Sequence, residues 1–299
     1  MDHLQNMATF VAVAEEQSFS SAARRLNISP PVVTRAVAEL ERKLGVKLLN
    51  RTTRYVRPTE AGLRYVEDAR RIIDEVEMAD EAAAGINADP RGELVVTAPV
   101  LFGRMHVMPG IVDYLNRYPE TRIRALFLDR VVNLLEEGID IGIRIGELPD
   151  SSMRALKVGS VRLVTVASPV YLASMGEPQS PKELSEHTTI TSSAANNFIG
   201  WQFKMPKQNQ SFRIDPRLSV SDNSAAIEAA REGLGITRVL SYQVADYLVN
   251  GELKLILEDF ESANSPIHIV HREGRNSSSK VRAFIDLIAN KLRSDLRLS

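Results

Sequence analysis

The sequence predicts an α/β chain in three parts: a small basic helical domain, one long acidic helix, and an α/β region that fills the remainder. Three observations carry this. Between Gln17 and Arg57 there are nine Lys or Arg (Arg24, Arg25, Arg35, Arg42, Lys43, Lys47, Arg51, Arg54, Arg57) against two acids, Glu39 and Glu41, in a chain whose net charge is -1. From Leu63 to Ala84 there is neither Gly nor Pro, and apolar residues recur at steps of three and four. Beyond Asp89-Pro90-Arg91-Gly92, a cluster of turn formers, strand-like and helix-like stretches alternate, the pattern of an α/β unit with a largely parallel sheet.

The first part begins with a supporting helix whose face is Leu4, Met7, Phe10, Val11 and Ala14. Ser18 suits the N-cap of a second helix with the small apolar face Ala22, Ala23 and Leu26. Asn27 and Ile28 make a turn. Ser29 is the next N-cap candidate, and Pro30 and Pro31 fit a first helical turn, where a missing N–H has no intrahelical partner to lose. Val33, Val37, Leu40 and Leu44 form the buried face of this third helix, and Gly45 ends it. Two helices joined by a tight turn, with cations around them, are the electrostatic and geometric footprint of a binder of the phosphate backbone. The start of the third helix presents Ser29, Pro31, Val32, Thr34 and Arg35. Short side chains and an arginine there reach base edges when a helix lies in the major groove, and Pro31 and Val32 suit thymine methyl groups. Leu48-Leu49 followed by Asn50-Arg51-Thr52-Thr53-Arg54 reads as a wing, an apolar anchor with a basic tip, placing Arg51 and Arg54 for the minor groove or phosphates.

The segment Leu4–Gly62 resembles, over its full length and in register, the winged helix-turn-helix domain of LysR-type transcriptional regulators. The family pattern stands here as Ala22 to Leu26, Ser29 to Arg35, Leu40 to Leu48, Arg51, and Pro58 to Gly62. Pro30 departs from it, since many members carry Gln there and this chain has no side-chain donor at that position. The resemblance implies double-stranded DNA as partner, self-association as a dimer or tetramer, a small-molecule effector, and RNA polymerase as a further partner. Its domains are then 1–58 winged helix-turn-helix, 59–88 linker helix, and 89–299 effector domain.

The linker, Thr59 to about Ala88, carries Tyr65, Ala69, Ile72, Val76, Ala79, Ala83 and Ile86 at alternating steps of four and three, the pattern of a two-helix seam. An amphipathic helix packed on its own domain gives the same pattern. Its segment holds eight acids and three bases, so its outer face repels DNA; with the resemblance it is expected to pair antiparallel with a partner copy.

In the third part, strands are expected at 93–98, 122–128, 139–145, 188–191, 201–203, 217–220, 236–240 and 267–271, with helices at 102–118, 131–137, 224–232, 242–248 and 280–293, and a second unit beginning near 163–172. RGELVVTAPVLFGR, IDIGIRIGELPDSS, VASPVYL and REGLGI resemble the LysR effector domain, a two-lobed α/β fold like periplasmic binding proteins. Lobe 1 is then about 89–162 with 266–299, and lobe 2 about 163–265. Ligands of such folds sit at the carboxyl ends of strands, facing helix N-termini. That points to Val100, Leu101 and Phe102, with backbone amides from Phe102 to Arg104 available to an anion. The family geometry adds Asp129, Ile145, Ser192, Trp201, Asn223 and Arg238. Several members place Ser or Thr in the first loop; Val100 and Leu101 here imply a more apolar pocket, and the effector is expected to be a carboxylate or an aromatic molecule.

Other chemistry is poorly supported. There is no Cys, which excludes disulfides, thiolate catalysis and Cys-zinc sites. Nucleophile-elbow, P-loop and dinucleotide-binding motifs are absent, and Gly233-Leu234-Gly235 reads as a helix stop before a strand. His268 and His271, three apart on a strand, face opposite sides and make a poor metal pair. No catalytic residue, metal or cofactor is expected. No apolar run reaches eighteen residues and Met1–Gln17 lacks a signal-peptide pattern, so a cytoplasmic protein without membrane contact is expected. Two alternatives stay open: a solute-binding or enzymatic α/β protein with an appended DNA-binding domain, and a regulator that needs no effector.

Overall fold

The computed structural model describes residues 2–51, 56–84, 89–148, 153–192, 200–206, 208–271 and 278–298. Met1–Asp89, with two short later segments, forms one compact unit; Pro90–Leu134, Ile139–Glu273 and Lys280–Ser299 form the other.

The first unit contains α1 (His3–Glu16), α2 (Phe19–Leu26), α3 (Pro30–Leu44), an antiparallel hairpin of β1 (Leu49–Arg51) and β2 (Val56–Pro58), and α4 (Glu60–Ala84). The caps follow the sequence chemistry. The Asp2 side chain accepts from the Leu4 amide and Ser18 from the Ser21 amide, while Asn27 and Gly45 take left-handed conformations at the ends of α2 and α3. Ser29 occupies the N-cap position of α3 without a side-chain cap bond, and both prolines stand in the first turn. Phe10, Val13, Ala22, Val33, Val37 and Leu40 are fully buried in one core. The helix after the wing differs from a free two-helix seam: Val66 and Ala69 belong to this same core, and Tyr65 meets Phe10 with ring centroids 5.7 Å apart. The start of α4 therefore spends its apolar face on α1, whereas Ile72 and Ala79 are exposed. The side chain of Ala83, and all of Ile86, lie outside the described residues.

The second unit holds two five-stranded sheets. The first contains β3 (Gly92–Ala98), β4 (Thr121–Phe127), β5 (Ile141–Ile145), β6 (Arg154–Val161) and β14 (Ser265–His271) in the order β4-β3-β5-β14-β6. The second contains β7 (Leu163–Ala167), β8 (Thr189–Ser192), β11 (Leu218–Val220), β12 (Ile236–Leu240) and β13 (Lys254–Ile256) in the order β11-β8-β12-β7-β13. A hairpin of β9 (Trp201–Phe203) and β10 (Gln210–Phe212) accompanies it. Helices α5 (Val100–Phe102), α6 (Met108–Arg117), α7 (Pro169–Met175), α8 (Asn223–Arg231), α9 (Ser241–Val249) and α10 (Ser279–Ser294) complete the unit.

Both sheets are mixed rather than largely parallel. β3 runs parallel to β4 and β5, but β14 is antiparallel to β5 and β6; β8 runs parallel to β11 and β12, but β7 is antiparallel to β12 and β13. The reversal follows from the path of the chain, which leaves the first sheet after Val161 and re-enters it at Ser265. The two crossings are tied together: Arg162 donates to Glu261 Oε2 at 3.1 Å, and its carbonyl accepts from the Ser241 amide at 2.8 Å.

Two expected helices are corrected. The 131–137 segment has no helix. Val132 and Leu134 are buried while Val131 and Asn133 are exposed, a period of two, and the Ile139 amide donates back to the Leu134 carbonyl at 2.9 Å. The 102–118 helix starts at Val100 and contains a π-helical turn at Gly103–Val107. Gly103 lies so close to β4 that a Cβ there would fall 2.4 Å from the Phe127 ring. The sequence pattern also passed over β6, β10 and β13, which are short or carry no clean alternation.

Candidate functional site

Two regions collect the residues that the sequence singled out. In the first unit, Ser29, Pro31, Val32, Thr34 and Arg35 are all exposed on the first two turns of α3, the face opposite buried Val33, Ala36, Val37 and Leu40. The side chain of Arg51 and all of Arg54 lie outside the described residues. The Thr34 hydroxyl donates to the Pro30 carbonyl at 3.0 Å, which leaves its lone pairs, rather than its proton, for an outside partner. The root of the wing is held by a residue the charge pattern alone did not reveal. Glu41, with a side chain 3% exposed, accepts from the amides of Leu48 at 2.9 Å and Leu49 at 3.1 Å, and pairs with Lys47 at 3.1 Å. Burial by itself raises the pKa of such a group; the two backbone donors and the Lys47 ammonium outweigh it and hold Glu41 below the usual carboxylate range. Glu15 similarly joins helices, accepting from Arg25 on α2 and Arg70 on α4.

In the second unit a cleft of about 690 Å³ lies between the sheets. Asp129, Ile145, Asn223 and Arg238 line it, as do Pro99 and Leu128 at strand ends, and Leu163, Tyr242 and Gln243 from the second sheet and α9. The remaining expected residues are placed elsewhere. Phe102 and Leu101 are buried in the core of the first sheet, Trp201 is 3% exposed in the core of the second, and Ser192 is buried at the end of β8. Val100 is exposed, and its amide donates to Asp129 Oδ1 at 2.9 Å. The protein's own carboxylate thus occupies the helix N-terminus, while the Gly103 amide bonds the Pro99 carbonyl at 2.7 Å within the helix. Of the amides expected to hold an anion at 102–104, that of Gly103 is engaged within the helix.

Arg238 is 7% exposed and its guanidinium carbon sits 4.1 Å from the Phe203 ring centroid. Burial draws its pKa down to about 10, against the opposing charge of Glu261, so it remains a cation at neutral pH. Gln243 organises the neighbouring polar groups: its Oε1 accepts from the Leu240 amide at 3.0 Å and from Asn223 Nδ2 at 3.4 Å, and its Nε2 donates to the Tyr242 hydroxyl at 3.2 Å. A Gln three residues after the start of a helix was the available sequence signal for it.

A family model described as the LysR substrate binding domain matches residues 87–293, and one described as the bacterial regulatory helix-turn-helix protein, lysR family, matches residues 4–63. The chain belongs to the LysR family of transcriptional regulators. The HTH-type transcriptional regulator CrgA of Neisseria meningitidis is 31% identical over 293 residues, 98% of each chain, and the HTH-type transcriptional activator TtdR of Escherichia coli is 31% identical over 288 residues, 95% of this chain and 92% of that one. The solved CrgA structure superposes with a TM-score of 0.62 at 30% identity, covering 96% of this chain and 98% of that one. The full-length Vibrio cholerae virulence activator AphB gives 0.62 at 27% identity, covering 97% and 99%. This LysR-type regulator is therefore a DNA-binding transcriptional regulator with an effector-binding domain, and not an enzyme. Among the described residues no helix is long and apolar enough to cross a membrane, and no cluster of His, Asp or Glu has the arrangement of a metal site.

Proposed function

We propose that this regulator is a cytoplasmic homo-oligomer that reads an operator with the start of α3, and whose DNA affinity or geometry is set by a small molecule in the cleft of its second unit. The observation that supports the DNA half is the exposed set Ser29, Pro31, Val32, Thr34 and Arg35 on a helix whose other face is fully buried. Arg35 supplies a fork suited to guanine, Thr34, Pro31 and Val32 short contacts in the groove, and Arg51 and Arg54 the cations of the wing. The distal part of α4, with Ile72 and Ala79 exposed, is the surface for pairing with a second copy, which two operator half-sites require. The 690 Å³ cleft, with Asp129, Ile145, Asn223 and Arg238 on its walls, supports the effector half, since ligand sites of this size are concave, largely apolar and fitted with a few polar groups. A ligand there changes DNA binding to the extent that it favours one assembly state.

The test compares operator and random duplex over a range of salt. Arg35→Ala lowers the ratio of the two affinities by roughly 10- to 100-fold, the value of one bidentate base contact. Arg54→Ala weakens both alike and flattens the salt slope by about one. Operator selectivity that survives Arg35→Ala refutes the assignment of α3.

A further inference from the structure

Resting on the reading of the cleft as the effector site, we infer that its effector is a singly charged organic acid with an apolar body and a separate hydrogen-bond donor, the carboxylate meeting Arg238 and the donor meeting Asn223. Three arginines line the cleft. Arg130 donates to the Val131 carbonyl at 3.4 Å and Arg144 to the Ile143 carbonyl at 3.3 Å, each to backbone of its own segment. What sets Arg238 apart is an adjacent pair of donors: its Nε and Nη2 are both buried and have no hydrogen-bond partner among the described residues. Those two nitrogens form one edge of the guanidinium, where parallel N–H bonds match the two oxygens of a carboxylate. The Phe203 face beneath it offers cation–π attraction and no acceptor in that plane. Glu261, the acid whose charge it feels, is itself bonded to Arg162 at 3.1 Å.

The donor requirement comes from Asn223. Its Nδ2 is engaged with Gln243, whose own amide is fixed by the Leu240 amide and the Tyr242 hydroxyl, and this leaves Asn223 Oδ1 buried without a partner among the described residues. An ionised carboxylate has no proton to give it, so a hydroxyl, amine or N–H elsewhere on the effector must. Apolar side chains from both lobes, Leu128, Val132, Ile145, Met153 and Leu163 among them, make up much of the remaining lining. A second carboxylate would face Asp129 and Glu147 on the same cleft, whose three arginines and two acids leave one net positive charge for the effector to balance.

The experiment is calorimetric titration of the full chain with matched probes. Mandelate and 3-phenyllactate carry the carboxylate, the hydroxyl and an apolar ring; phenylacetate lacks the hydroxyl, methyl mandelate the charge, and malate has a second carboxylate and no apolar body. The hydroxy acids are expected to bind about tenfold tighter than phenylacetate, the value of one hydrogen bond, at least about thirtyfold tighter than methyl mandelate, the value of a charge-assisted pair, and tighter than malate, which brings a second charge and no apolar body. Arg238→Met abolishes that preference over the ester, Arg238→Lys restores part of it, and Asn223→Leu makes mandelate and phenylacetate equal. The inference is overturned if the ester or malate binds as well as mandelate, if neither hydroxy acid binds, or if the preference survives Arg238→Met. A cleft-filling Val132→Trp separates the two levels. Binding of the ester that this variant removes means that the cleft is the site and the class is wrong; binding that it leaves intact sinks the reading of the cleft itself.

Discussion

Replacing Glu41 by Ala should unfasten the wing from the recognition helix while leaving the helix itself in place. The carboxylate is buried and is the acceptor for the amides of Leu48 and Leu49, residues 1% and 3% exposed. Neither amide finds water when the acceptor goes, so each loss costs about 1–3 kcal/mol, and the pair at least about 2 kcal/mol. The Lys47 ion pair adds little, because the lysine is 80% exposed. Hydrogen–deuterium exchange of the peptide spanning 46–51 reads this directly: 2 kcal/mol corresponds to roughly a 25-fold loss of protection, with α1 and α3 unchanged. Glu41→Gln retains an acceptor for both amides and should lose about half as much. The sign with pH is fixed by the depressed pKa: the contribution is complete above the unfolded value, about 4.5, and disappears as pH falls through the lower folded value. Protection in the Ala variant within twofold of the parent at neutral pH would refute the clasp.

Gly62→Ala should destabilise the first unit by about 1–3 kcal/mol or block its folding, because the new methyl would stand 2.0 Å from the Leu48 carbonyl oxygen, a backbone atom that cannot rotate away; thermal unfolding and solubility check it. Thr34→Val keeps the methyl group and removes the oxygen whose hydroxyl proton is already given to Pro30. Selection from a randomised operator should then lose a preference for adenine or cytosine, whose amino groups need an acceptor, at one position; an unchanged selected site refutes the outward lone-pair reading. His106 is buried against Phe102 and Tyr242, and burial lowers its pKa despite the hydrogen bond from its ring to Asp295 at 3.0 Å. The unfolded chain therefore takes up the proton first, and the second unit should lose stability as pH falls below about 6.5. Scanning fluorimetry at pH 7.5 and 5.5 should show a smaller difference in His106→Gln than in the parent.

The helix-turn-helix was legible because it is local. Its caps, prolines and apolar spacing act within a few residues, and Ser18, Asn27, Pro30 and Gly45 each specify the backbone where they stand. The alternation of the later chain, with its last strand expected at 267–271, was legible for the same reason, since hydrophobic period needs no knowledge of partners. What the tertiary structure decided is where long-range partners lie. Only the packing of α4 on α1 shows that Tyr65 and Ala69 serve their own domain. Only the approach of β4 to Gly103 accounts for the tight passage of the helix there, and only the folded loop places Asp129, twenty-nine residues away in sequence, on the Val100 amide. The arginine at 238 was visible as a candidate from its family position. Its burial over Phe203, with one guanidinium edge left without an acceptor among the described residues, depends on strands far apart in the chain, and no local pattern encodes that.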